Sequence, residues 1–264
     1  MKTFRVFLLV CIMFSTLSVS AQESDMDDRR FRFGLMAAPN LGWISPTIQE
    51  FNKDGLQGKL GFSYGLMADY KFSNSSNYLF STGINFMSVG GGLREPFDTL
   101  DINTSNDTNY YYGQVDRSYR MNYVNIPLLL KMRTNEIGYM SYFGAIGLDV
   151  GIRTRAFVND GYTWKSNNFI SKQSDISFQQ NISLFRLAVN LSVGGEFNIS
   201  GNTNAYLALS YHNGFTNLFS NDPTNRILEP DSDGSPALNN GFAILGKQRR
   251  AVLDCVSLNF GIFF

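Results

Sequence analysis

Leu60-Gly61-Phe62-Ser63-Tyr64-Gly65-Leu66-Met67-Ala68-Asp69-Tyr70-Lys71-Phe72 alternates without interruption between two kinds of residue. Leu60, Phe62, Tyr64, Leu66, Ala68, Tyr70 and Phe72 are apolar or aromatic, whereas Gly61, Ser63, Gly65, Met67, Asp69 and Lys71 are mostly small, polar or charged. Period two is the side-chain repeat of a β-strand, so this stretch predicts a strand with a greasy face and a small or charged face. Phe185, Leu187, Val189, Leu191, Val193 and Phe197 repeat the design against Arg186, Asn190, Ser192, Gly194 and Glu196. Eight such segments can be marked, at 31–46, 60–72, 78–89, 119–133, 139–156, 184–197, 203–215 and 250–264.

The connections alternate as strictly as the strands. Ser73–Asn77, Thr134–Gly138 and Asn198–Asn202 are short and built from turn formers, whereas Thr47–Lys59, Gly90–Ser118, Phe157–Ser183 and Thr216–Arg249 are long. Short turns at one end and long loops at the other predict an all-β fold: an eight-stranded antiparallel transmembrane β-barrel with short periplasmic turns, long extracellular loops and both termini in the periplasm. A soluble eight-stranded barrel or a secreted β-sandwich would also alternate. The composition of the second face favours the membrane, because Gly, Ser, Asn and scattered opposite charges suit a narrow packed lumen better than a solvated surface. Phe31, Trp43, Tyr70, Phe72, Tyr78, Tyr139, Tyr142, Phe197 and Tyr211 fall near segment ends, as two interfacial girdles require.

Composition excludes other classes. The 264 residues carry 22 Lys+Arg and 22 Asp+Glu, only 17% are charged, and Gly (24), Phe (23) and Tyr (13) are plentiful. That argues against a disordered chain, a coiled coil and a nucleic-acid binder relying on bulk positive charge. Lys2 and Arg5, the apolar run Val6–Phe14 and Val19-Ser20-Ala21 form an export signal, giving a removed signal peptide at 1–21, a periplasmic leader at 22–30 and the barrel at 31–264. Losing Lys2 and Arg5 leaves 20 basic against 22 acidic residues, a formal charge of −2. Cys11 leaves with the signal, so Cys255 has no intrachain partner.

Within the lumen, Arg32, Lys71, Lys131, Arg153 and Arg186 are expected to pair with Asp69, Asp149 and Glu196, since unpaired charge in a tight interior is costly. No catalytic residue, cofactor or metal is expected. His212 and Ser210 share one face, but two residues along a strand put their side chains roughly 6–7 Å apart, too far for direct proton transfer. Gly90-Gly91-Gly92 lacks the Lys-Ser/Thr of a phosphate loop, and Asp231-x-Asp233-Gly234 lacks the closing carboxylate of a calcium loop. Val256, Leu258, Phe260, Ile262 and the terminal Phe264 share one face. They resemble the C-terminal signal that the barrel assembly machinery recognises during insertion into outer-membrane lipid.

Tyr123-Val124-Asn125-Ile126-Pro127-Leu128-Leu129-Leu130-Lys131, followed by Tyr142-Phe143-Gly144-Ala145-Ile146-Gly147, resembles the signature strands of the PorT-like outer-membrane β-barrel family, with Asn-Ile-Pro where that family tends to have Glu-Ile-Pro. Pro127 within a strand removes a ladder donor and predicts a local bulge or bend. The resemblance implies the outer membrane of a Gram-negative bacterium and, from the family's namesake, an accessory role in type IX secretion. The expected function is thus a non-enzymatic barrel that binds secretion-system or surface proteins; a structural barrel or narrow pore for small solutes is the alternative. The cue for partners is loop mass. Gly90–Ser118 holds Asp98, Asp101, Asp107 and Tyr110-Tyr111-Tyr112, and Thr216–Arg249 holds Phe219, Leu228, Phe242, Ile244 and Leu245. The same groups could instead fold over the barrel mouth.

Overall fold

A computed structural model describes residues 30–48, 51–72, 77–102, 108–164, 170–223 and 225–264. The signal peptide, most of the leader and Asp107 lie outside the described residues, as do the side chains of Asp101, Tyr110 and Tyr111. The chain runs through β1 (Phe31–Pro46), β2 (Asn52–Lys71), β3 (Tyr78–Ile102), β4 (Thr108–Arg133), β5 (Met140–Trp164), β6 (Ile170–Ser177), β7 (Phe185–Ser200) and β8 (Thr203–Gly214). Four short strands follow, β9 (Arg226–Leu228), β10 (Leu238–Asn239), β11 (Phe242–Ala243) and β12 (Leu245–Gln248), before the last, β13 (Ala251–Phe263). Among the described residues no helix is long and apolar enough to cross a membrane.

Eight strands close a ring in the order β1, β2, β3, β4, β5, β7, β8, β13, every neighbouring pair antiparallel. Closure is made by β1 against β13, from Gly34↔Phe263 to Pro46↔Ala251. It leaves the ring without an open edge, the condition for a sheet in hydrocarbon, where an unpaired backbone group costs several kcal/mol.

The outward faces carry Phe33, Leu35, Leu66, Ile84, Leu128, Leu130, Ile146, Leu148, Leu191, Leu207, Leu209, Leu258, Phe260 and Ile262, all exposed. On β7 the belt runs from Phe185 to Phe197. At about 3.3 Å per residue and a tilt of about 40°, that length covers about 30 Å, the thickness of a bilayer core. Aromatic rings cluster at both margins. Phe31 lies 4.7 Å from Tyr70 and Tyr70 lies 6.0 Å from Phe72 at the end with the short turns, and Trp43 stacks on Tyr211 at 6.3 Å at the other.

The stretches read as long loops are largely sheet. β3 and β4 remain paired from Tyr78↔Met132 to Ile102↔Thr108, far beyond the belt, and β6 takes the place of β7 beside the far end of β5. Alternation failed to mark these extensions because Val89 and Leu93, with Gly90, Gly91 and Gly92 between them, are buried whichever way they point. Above Val124 the outward positions of β4 turn polar, as Asn122, Arg120, Ser118 and Asp116. Pro127 produces no bulge: the β3–β4 register is the same at Thr82↔Leu128 and Asn85↔Asn125, and the β4–β5 irregularity lies at Asn122/Tyr123 instead. Gly147 explains the glycine-rich strand, for a Cβ there would fall 2.0 Å from the Leu128 carbonyl oxygen of β4.

Candidate functional site

The interior is layered along the barrel axis. At the turn end, inward positions of β1, β2, β4 and β7 bring Arg32, Asp69, Lys131 and Glu196 together. Arg32 Nη2 donates to Asp69 Oδ2 at 2.6 Å and to Glu196 Oε1 at 2.7 Å, and Lys131 Nζ donates to the same carboxylates at 3.1 and 2.5 Å. Arg133 adds a 3.1 Å bond to Glu196, and the Ser81 hydroxyl donates to Asp69 at 2.5 Å. Aromatic rings wall the cluster: Arg32 sits 4.3 Å over Phe263, and Lys131 sits 4.2 Å over Phe143.

Lys71, Arg153 and Arg186 stand apart from this cluster. Lys71 is half-buried in an open polar hollow beside Arg133 and Tyr139. Arg153 Nε donates to the Ser183 carbonyl, and Arg186 Nη2 to the Leu253 carbonyl. β5 and β7 carry Arg153 and Arg186 toward the other end, out of reach of Asp69 and Glu196. Asp149 is also elsewhere, bound to a histidine rather than to an arginine.

The middle layer holds a cavity of about 90 Å³ whose polar lining includes Asp149, Asn190, Ser192, Ser210, His212, Ser257 and Asn259. His212 Nδ1 lies 2.5 Å from Asp149 Oδ2, and its Nε2 lies 2.9 Å from Ser257 Oγ. Asn190 Nδ2 donates to both Asp149 oxygens at 3.0 and 3.2 Å. Ser192 donates to Asn190 Oδ1 at 2.8 Å and lies 2.6 Å from Ser210, to which Asn259 Nδ2 donates at 2.6 Å. Ser210 therefore belongs to the chain that ends on Asp149, and the hydroxyl beside His212 is that of Ser257.

Above the cavity the polar lining stops. Met87, Val89, Leu93, Tyr119, Met121, Tyr123, Ala156, Val158, Leu218, Phe219, Ile227, Leu253 and Cys255 pack as one apolar layer across the bore. Phe219, for which the sequence left a partner surface and a fold over the barrel mouth both open, is 1% exposed, because the segment after β8 turns back and seats it 5.9 Å from the Tyr119 ring. Beyond the layer lies a second ionic cluster. Arg117 bonds Glu95 at 2.7 Å and Asp160 at 2.9 Å, and Arg249 reaches Glu95 at 2.9 Å. Sequence reading missed these four residues because they fall in the stretches taken for loops. Asp231 and Asp233 serve their own turn, with Asp231 Oδ1 accepting from the Ser232 amide and Asp233 Oδ1 from the Ser235 amide, and Gly234 has φ 77°.

Burial, and the hydrogen bond it donates to Asp160, push the Tyr162 phenol up to about 12. An ordinary phenol titrates near 10, so the folded state keeps a proton that the unfolded chain releases. This contribution to stability is intact below about pH 10 and lost as pH rises to about 12. Urea midpoints measured across that window should fall more steeply for the parent protein than for Tyr162→Phe.

A closed antiparallel ring with a lipid-facing belt, two aromatic margins and a filled bore defines a transmembrane β-barrel of the outer-membrane type. The chain belongs to the family of the outer membrane protein beta-barrel domain, whose model matches residues 20–220. Its place is the outer membrane. Solved structures similar to it include Neisserial surface protein A (9% identity, 88% of this chain and 95% of that one, TM-score 0.39). OprG from Pseudomonas aeruginosa is another (11% identity, 91% and 99%, TM-score 0.35), as is Ail of Yersinia pestis (12% identity, 89% and 100%, TM-score 0.29). No curated protein sequence matches the chain.

Proposed function

We propose that this chain is a sealed structural barrel of the outer membrane, which anchors an extended sheet at its loop end and conducts no solute. Its short turns and termini face the periplasm, and the β3–β4–β5 extensions stand outside the cell. The apolar layer around Tyr119, Phe219 and Leu253 carries this reading. Buried apolar side chains occupy this section, and eight strands enclose only enough space for side chains to fill. Planar-bilayer recording of the purified protein tests it. Baseline conductance is expected, and stable nanosiemens channels would refute the sealed bore.

A second reading, protein docking at the loop end, is favoured by Phe242 and Leu245, which are 63% and 65% exposed next to Leu238. The type IX accessory role suggested by the PorT-like motif belongs to this reading. Deleting the gene and comparing secreted proteomes tests that role: retention of type IX cargo in the periplasm supports it, and unchanged secretion counts against it.

A further inference from the structure

The sealed-barrel reading leaves the middle layer unexplained. Filling a lumen requires only that polar groups be satisfied, and the Asn259, Ser210, Ser192, Asn190 chain already delivers its donors to Asp149. Three side chains from three strands add something more specific. Asp149 of β5 holds His212 Nδ1, and His212 of β8 presents Nε2 to the hydroxyl of Ser257 on β13, at 2.5 and 2.9 Å. With Asp149 as acceptor at Nδ1, the neutral tautomer that carries its proton on Nδ1 turns Nε2 as an acceptor toward the Ser257 hydroxyl, which also has Asn259 Oδ1 within reach at 3.2 Å. Acid, imidazole and hydroxyl thus stand in the order and at the spacing of a nucleophilic triad.

We propose that Ser257 is a nucleophile activated by His212 and oriented through Asp149, and that the cavity above the Lys131 layer accepts a small acyl or sulfonyl electrophile. The substrate class follows from space. A cavity of about 90 Å³ takes only a compact reacting group, of the order of formyl, acetyl or methanesulfonyl. The apolar layer closes the loop side, so the proposed entry runs from the turn end past the Lys131 layer. Met36, Met67, Phe143 and Tyr206 line that approach, and unbranched methionines yield more readily than β-branched side chains. In the reaction, Ser257 Oγ bonds to the acyl carbon while its proton moves to His212 Nε2. The bond from that carbon to the leaving oxygen breaks, and the leaving alcohol takes the proton from Nε2. Water then enters by the same route, giving its proton to His212 and releasing the acid and free Ser257.

The probe is methanesulfonyl fluoride, a compact serine reagent that loses fluoride as Oγ bonds to sulfur, applied to the full mature protein folded in lipid vesicles. Intact mass and peptide mapping should show one methanesulfonyl group, on Ser257. Ser257→Ala should remove the adduct, His212→Gln should slow its formation by about 100-fold or more, the range of a general base, and Ser174→Ala, at an exposed position of β6, should label as the parent does. Gel mobility without heating shows which variants are folded. If His212→Gln does not fold, the folded parent still decides: an unlabelled Ser257, or an adduct spread over several cavity serines, overturns the proposal. So does a Ser257 adduct that forms equally fast in folded His212→Gln.

Discussion

Glu196→Ala is expected to cost the barrel about 3–5 kcal/mol, the range for removing one partner from a buried ionic cluster. Glu196 is 2% exposed and accepts from Arg32, Lys131 and Arg133. Without it, Arg32 and Lys131 share Asp69 alone between the rings of Phe143 and Phe263, and Arg133 is left at the open hollow of the turn end. Urea titration of the folded fraction in vesicles measures the loss. Glu136→Ala, at an exposed turn position, should change the midpoint little. Because the penalty comes from stranded charge rather than from a lost bond, Lys131→Met combined with Glu196→Leu should cost less than the sum of the single changes. A loss below 1 kcal/mol for Glu196→Ala would mean that water reaches the cluster freely.

Leu191→Arg, at the centre of the β7 belt, is expected to cost about 2–4 kcal/mol, whereas Phe197→Arg at its margin should cost about 0–1 kcal/mol. Both side chains are exposed in the isolated molecule, at 46% and 47%. A water-soluble barrel would tolerate the two changes equally. The depth dependence arises from the distance an arginine head must travel to reach the interface, which is short from Phe197 and long from Leu191. Equal and small effects at both positions, read from the same urea titration, would place the belt in water.

Alternation made the barrel readable because each strand of the belt faces two fixed environments, lipid and lumen. Where that contrast ends, the sequence loses its period. Residues 89–93 are buried on both faces, and the outward positions Asn122, Arg120 and Ser118 are polar where Val124 is apolar, so β3 and β4 look like loop while remaining paired. Register was equally hidden. Ser257 pairs across the β13–β8 ladder with Ser210, and His212 with Cys255, so Ser257 and His212 are diagonal neighbours. Asp149 reaches the same histidine across β7, where Asn190 pairs with His212. Nothing in residues 149, 212 and 257 taken along the chain fixes those pairings. Charge parity was readable, since Arg32, Asp69, Lys131 and Glu196 each share an inward face with small residues. The height of each charge in the bore was not, and it separates Arg153 and Arg186 from the cluster.

Nitroxide labels placed one at a time along β7 from Phe185 to Phe197, in lipid vesicles, test the central claim that one face of each strand meets lipid and the other a packed bore. Odd-numbered positions should be accessible to oxygen and shielded from a polar relaxation agent, and even-numbered positions should be shielded from both, in a period of two along the whole strand. Odd-numbered positions open to the polar agent would contradict a membrane-spanning barrel, and even-numbered positions open to it would contradict the filled lumen.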